Sequence, residues 1–580
     1  MQPNQTIELN IIDLGMEGEG IAKYEGYTFF VPYALPGEKV KAKITHLKKG
    51  KNLGYATLKE VVEPSPFRVK PLCNRFGRCG GCTMMHLDYQ KQLEYKKKNV
   101  QAVLRKNAGC VLEVNDVVPS VPYAYRNKAQ LPFGMVNGKV AVGFYGTGTH
   151  KVVSSTKCFL HGEWLEKLIA IVLDFANENA LSVYDEETKK GLLRHVVARY
   201  VGGKMVITIV INGTSLPKVD ELADKLEREF SGMALYLSPN TRDTNVIMGD
   251  RLIPVCPTAQ SIEVMGVKVD VNPFSFFQVN DYIRERLYNR VIEMVAPSEN
   301  TIVIDAYAGV GLMGAIMAKQ GAYVFNIEIV KEATRDSVKL YELNGVADKA
   351  TNICGDASVE LKKLVEGTDC GTLSPQAQKF RQLVASGKKV KIVLDPPRKG
   401  ISKGVADTLN ALSKVLPFEL IYVSCNPATL SRDIANLTAF TPTEITPYDM
   451  FPHTSHVETL VAFRQSKVHD MNLNPSPFEK IRSGQKTIEL RLFDEKRQSI
   501  KTGDIIVFTN TLSGERVRTK VIKLHCFNNF EELYNSLPLL KCGYSENDIE
   551  TAHSLDMEKY YSLEKQKEYG VVGIELYLIN

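Results

Sequence analysis

This 580-residue chain contains one tryptophan and ten histidines, and no long hydrophobic run. Its longest apolar stretch, near Leu168 to Ala176, is far shorter than the roughly 20 residues a membrane-spanning helix needs. The first residues, MQPNQTIELN, lack the basic and apolar segments of a secretory signal, so a cytoplasmic location is expected. A strong charge of one sign is missing too. Lys+Arg number 72 against 66 Asp+Glu, a net +6, too small an excess to establish nucleic-acid binding. Two stretches, Lys41–Lys51 and Lys91–Lys106, are locally basic and read first as solvated faces.

What is present is ordinary globular material, 44% hydrophobic and 24% charged, in a chain too long for one core. Eleven cysteines in a reducing compartment argue for metal binding or catalysis rather than disulfides.

Residues 1–62 read as short strands between Gly-rich turns, the pattern of a small β-barrel. Next comes CNRFGRCGGC, with Cys73, Cys79 and Cys82 at x5 and x2 spacing and two glycines that let a loop close on a metal centre. Three thiolates are one short of a complete site. The nearest later candidates are Cys110 and Cys158, and composition does not separate zinc from iron–sulfur. The YAYRNKA segment, Tyr123–Ala129, interleaves aromatic and basic residues, which suits RNA contact or a surface strand. Phe159–Val271 reads as an α+β module.

From Asn272 the pattern becomes strand, Gly loop, helix, strand, a βαβ unit. Gly309, Gly311 and Gly314 fit G-x-G-x-x-G, with Glu328 near the ribose-binding offset, so a dinucleotide domain competes. Asp305, ending the first strand, would repel a pyrophosphate and suits a cofactor with a cationic amino-acid head. Further strands end at Asp356 and at Asp395-Pro396-Pro397-Arg398. The stretch IYVSCNPATLSRD then puts Cys425 between a strand and a helix, facing helix amides that favour thiolate. A buried, inert thiol is the alternative. His453 and His456 in MFPHTSHVE have no evident third ligand and read as loop histidines. Ser466–Pro477 reads as a polar linker to a small, mostly β module.

Together IYVSCNPATL, VLDPPRKG, FSFFQVN and MFPHTSHVE resemble the S-adenosylmethionine-dependent RNA uracil-5-methyltransferases. The N-terminal DLGMEGEGIAKYEGYTFFVPYALPGEKVKAKI resembles a TRAM domain, an OB-type RNA-binding barrel. Cys73, Cys79, Cys82 and Cys158 resemble the [4Fe–4S] site of the members that modify 23S ribosomal RNA. FEKIRSGQKTIELR…KTGDIIVF resembles the PUA-like ASCH domains. The resemblance implies a multidomain fold: an OB-type barrel (1–62), a central α+β module with the iron–sulfur site (63–270), a Rossmann-like α/β methyltransferase domain (271–466) and a PUA-like barrel (470–580). It implies Cys425 as nucleophile on uracil C6 and Glu458 as the base for the C5 proton. It implies Gln278, Tyr307, Glu328, Asp395 and Asp356 as cofactor positions, Asp395 also near the uracil, and Phe276 stacked on the target base. Some ASCH proteins are amidohydrolases. Lys486 matches their Lys position, but Glu489 stands where they carry Thr, so RNA contact is expected there instead of hydrolysis.

Overall fold

Alternation shapes the N-terminal segment. In Thr6–Leu14 every second residue from Ile7 to Ile11 is buried, so one face of the strand lines a core. Five such strands, Thr6–Leu14, Gly20–Tyr24, Tyr27–Val31, Lys39–Lys48 and Leu53–Glu63, close into a barrel around Phe29, Val31 and Ile44. This computed structural model describes residues 1–274, 277–366 and 373–579.

After the cysteine segment, helix Tyr89–Ala108 lies against helix Pro427–Asn436, with Asn107 Nδ2 donating to Ser431 Oγ at 3.3 Å. A seven-stranded sheet follows. It begins with Lys128–Val136, so the central module starts well before Phe159. Only one of its ladders is parallel, Lys204–Ile211 with Ala234–Pro239, joined through helix Val219–Glu229. Tyr123–Ala129 is not a free surface: Tyr125 and Asn127 are buried, and Asn127 N donates to Val279 O at 2.9 Å.

The third sheet organises the molecule. Its order is Ala350–Cys354, Tyr323–Glu328, Thr301–Ala306, Lys389–Leu394, Phe418–Ser424, Glu458–Gln465 and Phe440–Tyr448. The first five strands are parallel, and the last two form an antiparallel hairpin. Strand order reverses between Thr301–Ala306 and Lys389–Leu394, and a crevice outside the carboxyl ends of an open sheet opens at such a point. Among the described residues no helix is long and apolar enough to cross a membrane.

The expected linker is structure. Val468–Leu473 forms a strand paired in parallel with Ile505–Asn510, the edge of a five-stranded mixed sheet. Its polar residues misled because it is an edge strand with one wet face, while Met471 and Leu473 point into the core. The junction is also pinned. Buried Asp504 accepts from Arg464 Nη1 at 2.7 Å, His469 Nε2 at 2.9 Å and Lys467 N at 3.1 Å. Thr441 Oγ1 donates to Gly503 O at 2.7 Å.

Candidate active site

The loop after Thr301–Ala306 carries local strain. Tyr307 has φ +69°, a left-handed conformation uncommon for a bulky side chain and a recurrent mark of functional loops. Gly311 has φ +77°, and a Cβ there would strike Ser337 and Tyr341. This turn brings Tyr307, Gly309 and Leu312 to one wall of a cavity of about 440 Å³. Asp305, Asp395, Gln278 and Tyr288 line it further, and Cys425, Glu458, Arg398, His456 and Phe451 complete it.

Register explains the central pair. Strand Phe418–Ser424 lies antiparallel to Glu458–Gln465 with Ser424 opposite Thr459. The ladder ends at this pair, and the next residues, Cys425 beyond one strand and Glu458 at the start of the other, both line the cavity, with the Glu458 carboxylate near enough to act on the thiol. On its other side Glu458 pairs with Tyr448, which closes the base of the 448–458 hairpin. Asn426 Oδ1 accepts from Ala428 N at 2.9 Å and caps the helix that begins at Pro427.

The electrostatics run opposite to one expectation. The Cys425 thiol is not poised as a thiolate. Burial, then the nearby Glu458 and Asp395 carboxylates, push it up to about 11, against smaller opposing effects of Arg398 and its own amide. Helix amides do not outweigh burial beside two acids. Glu458 is 4% exposed, and burial followed by Asp395 raises it to about 8. Asp305 rises to about 7 through burial and then Asp395. Asp395 keeps some surface in the cavity, yet its surroundings also raise it to about 7. The cavity thus gathers three carboxyls around one guanidinium, Arg398, to which the sequence motif assigns no role.

Glu328 does not line the cavity directly. It supports the turn, Oε2 accepting from Gly309 N at 2.9 Å. Asp356 is exposed and turns inward on its own helix start, accepting from Ser358 N at 2.9 Å. Phe276 lies outside the described residues.

A second cavity, of about 180 Å³, is lined by Cys73, Cys79, Cys82 and Cys158. Cys110 is elsewhere, packed in the core of the third sheet. Burial raises Cys79, Cys82 and Cys158, with smaller additions from neighbouring thiolates, and Cys158 reaches about 11. Arg126 and Lys128 line the same cavity, and burial with neighbouring Arg199 and Arg126 brings Lys128 down to about 8. Among the described residues no group of three or more His, Cys, Asp or Glu side chains is arranged to hold a metal ion. The [4Fe–4S] expectation therefore stands on four thiols and two cations around one cavity, not on a formed ligand set.

The model of the tRNA (uracil-5-)-methyltransferase family matches residues 88–466. The chain belongs to that family. TRAM and ASCH domain models match residues 2–57 and 471–580. An uncharacterized RNA methyltransferase of Clostridium tetani is 34% identical over 469 residues, covering 80% of this chain and 96% of the relative. One of Caldanaerobacter subterraneus subsp. tengcongensis is 36% identical over 462 residues, with 78% and 96% covered. The crystal structure of the Pyrococcus abyssi tRNA (uracil-54, C5)-methyltransferase with S-adenosyl-L-homocysteine aligns with TM-score 0.62 and 26% identity, covering 79% of this chain and 99% of that one. Within this uracil-5-methyltransferase family the cavity at the switch point is the candidate active site.

Proposed function

We propose that this chain methylates C5 of a uridine in RNA, most plainly 23S ribosomal RNA, through a covalent bond between Cys425 and uracil C6. The carrying observation is that Cys425 and Glu458, just beyond the last pair of one ladder, line a single cavity together with Asp305 and Asp395. S-adenosylmethionine, when bound, supplies the methyl group from a cationic sulfonium. The residues suit it: Asp305 and Asp395 offer buried negative charge to a cation, and the Tyr307–Gly311 turn, supported by Glu328, leaves room for a ligand near backbone. Gln278 and Asp395 would hold the cofactor side, with Asp356 at its margin.

Uracil C5 is a weak nucleophile. Attack of the Cys425 sulfur at C6 makes an enolate that is nucleophilic at C5. Because the free thiol is raised, Cys425 must lose its proton as it attacks, and the nearby Asp395 carboxylate is suited to accept it and to return it when the bond breaks, which leaves Glu458 unprotonated for the C5 step. Arg398 is positioned to stabilise negative charge. After methylation Glu458 takes the C5 proton and the Cys425–C6 bond breaks. The base must leave its stack to enter, at a cost of a few kcal/mol. Phe276 is proposed to stack on it.

The cysteine cavity is proposed to hold a [4Fe–4S] cluster. Cys73, Cys79, Cys82 and Cys158 would ligate it, and Arg126 and Lys128 would balance an anionic centre. Anaerobically purified protein should carry iron, and stoichiometric zinc without iron would overturn the assignment. The C-terminal module is proposed to contact RNA without hydrolysing it. Lys486 Nζ lies 2.8 Å and Arg491 Nε 2.9 Å from buried Glu489, so the Lys486 amine is held in an ion pair.

Mass-spectrometric mapping of 5-methyluridine in RNA from cells with and without the protein tests the whole reading. Loss of one or more sites in 23S RNA is expected. Loss confined to transfer RNA would overturn the substrate, and no loss would overturn the activity.

A further inference from the structure

The helix Tyr89–Ala108 carries a lysine where no lysine is comfortable. Lys96 is 0% exposed, and its Nζ lies 2.5 Å from Oδ1 of Asp449, also 0% exposed. It also donates to Phe451 O at 3.1 Å. Tyr89, seven positions earlier and on the same face, donates to Asp449 Oδ2 at 2.8 Å. Gln92, between them, accepts from His453 N through Oε1 at 3.0 Å. One helix face therefore grips residues 449, 451 and 453, the first half of the hairpin connection that ends at Glu458.

The cysteine segment grips the same place. Thr83 N and Met84 N, directly after Cys82, both donate to His453 O, at 3.0 and 2.9 Å. Tyr125 Oη donates to Pro452 O at 3.2 Å, and Asn280 Nδ2 to Met450 O at 3.2 Å. His453 itself has φ +66°, a conformation a histidine holds only when its surroundings enforce it. A buried ion pair is a weak device for stability, because desolvation offsets attraction, but breaking it is costly, so it fixes geometry sharply. None of these residues faces the cavity except Phe451.

We infer that Lys96 is a positioning residue for proton removal: by clamping Asp449 and the Phe451 carbonyl it sets the hairpin that carries Glu458 against Cys425. The inference rests on Glu458 being the base. It makes the cysteine module part of the catalytic apparatus by contact, since the Thr83–Met84 amides complete the same brace.

The test follows methyl-labelled S-adenosylmethionine in single turnover on total RNA extracted from cells lacking the protein. Covalent protein–RNA adduct is separated from free methylated RNA on denaturing gels. Lys96→Met removes the clamp and leaves Asp449 without its cation. The pair variant Lys96→Met with Asp449→Asn removes both charges and guards against failure to fold, which S-adenosylhomocysteine binding near the parental affinity would verify. Adduct formation should stay within about threefold of the parent, while release of methylated RNA slows roughly tenfold to a hundredfold, the scale of a misplaced catalytic group. A labelled adduct should accumulate, as with Glu458→Gln run alongside. A folded pair variant that releases product at the parental rate, or slows adduct formation and release alike, overturns the positioning role while the Glu458 adduct keeps the base assignment. No adduct even in Glu458→Gln overturns both.

Discussion

Two glutamates in this molecule are almost equally buried and stand in opposite company. Glu458 is 4% exposed and faces Cys425, Asp395 and one exposed guanidinium. Glu489 is 3% exposed and lies within 2.9 Å of both Lys486 and Arg491. Burial, then the Asp395 carboxylate, raises Glu458 to about 8, and Arg398 offsets this only in part. Burial between two cations instead makes Glu489 one member of an ionic cluster. Depth alone does not make a general base; a carboxyl becomes one when its charge is left uncompensated near the proton to be moved.

The largest effect expected from breaking this comparison is at the partner of Glu458. Cys425→Ala removes the nucleophile, and labelled methyl transfer to RNA should vanish while RNA binding by gel shift persists. On the other side, Glu489→Gln leaves Lys486 and Arg491 facing a neutral group. Losing one partner of a buried ionic cluster costs about 3–5 kcal/mol, so the C-terminal module should melt earlier in calorimetry while methyl transfer to a short RNA continues.

A smaller effect comes from pH, and its sign is fixed. Glu458 binds its proton more tightly folded than unfolded, so its contribution to stability is present at low pH and is lost as pH rises from its ordinary 4.5 through about 8. Glu458→Gln should therefore stabilise the cofactor-free protein above pH 8 by up to about 5 kcal/mol and change little near pH 4, by denaturant titration. Catalysis runs the other way: product release should fall as pH drops below about 8, where Glu458 keeps its proton. The smallest effect is at the module junction. Asp504→Ala removes the acceptor shared by Arg464, His469 and Lys467, so the C-terminal module should show its own melting transition while turnover on a short RNA stays within about twofold.

Much of this organisation was legible locally. The βαβ unit at Thr301–Glu328 announces itself because hydrophobic strand, glycine turn and helix follow one another in sequence. The Cys425 turn is legible for the same reason. What stayed hidden depends on distant contact. Ser466–Pro477 looked like linker because an edge strand with one wet face has a linker's polarity. Lys96 looked like one more solvated cation in a basic stretch, and its partner Asp449 is 353 residues away. The thiolate expectation failed because helix amides are local, while the acids that oppose them arrive from two other strands.

The most direct test of the central claim is the fate of the methyl group in Glu458→Gln. The substitution keeps size and hydrogen bonding but removes basicity, so C6 attack and methylation proceed and the C5 proton stays. The account predicts a protein–RNA adduct that survives denaturing electrophoresis and carries label from methyl-labelled S-adenosylmethionine. Release of methylated RNA from Glu458→Gln with no trapped adduct would contradict it.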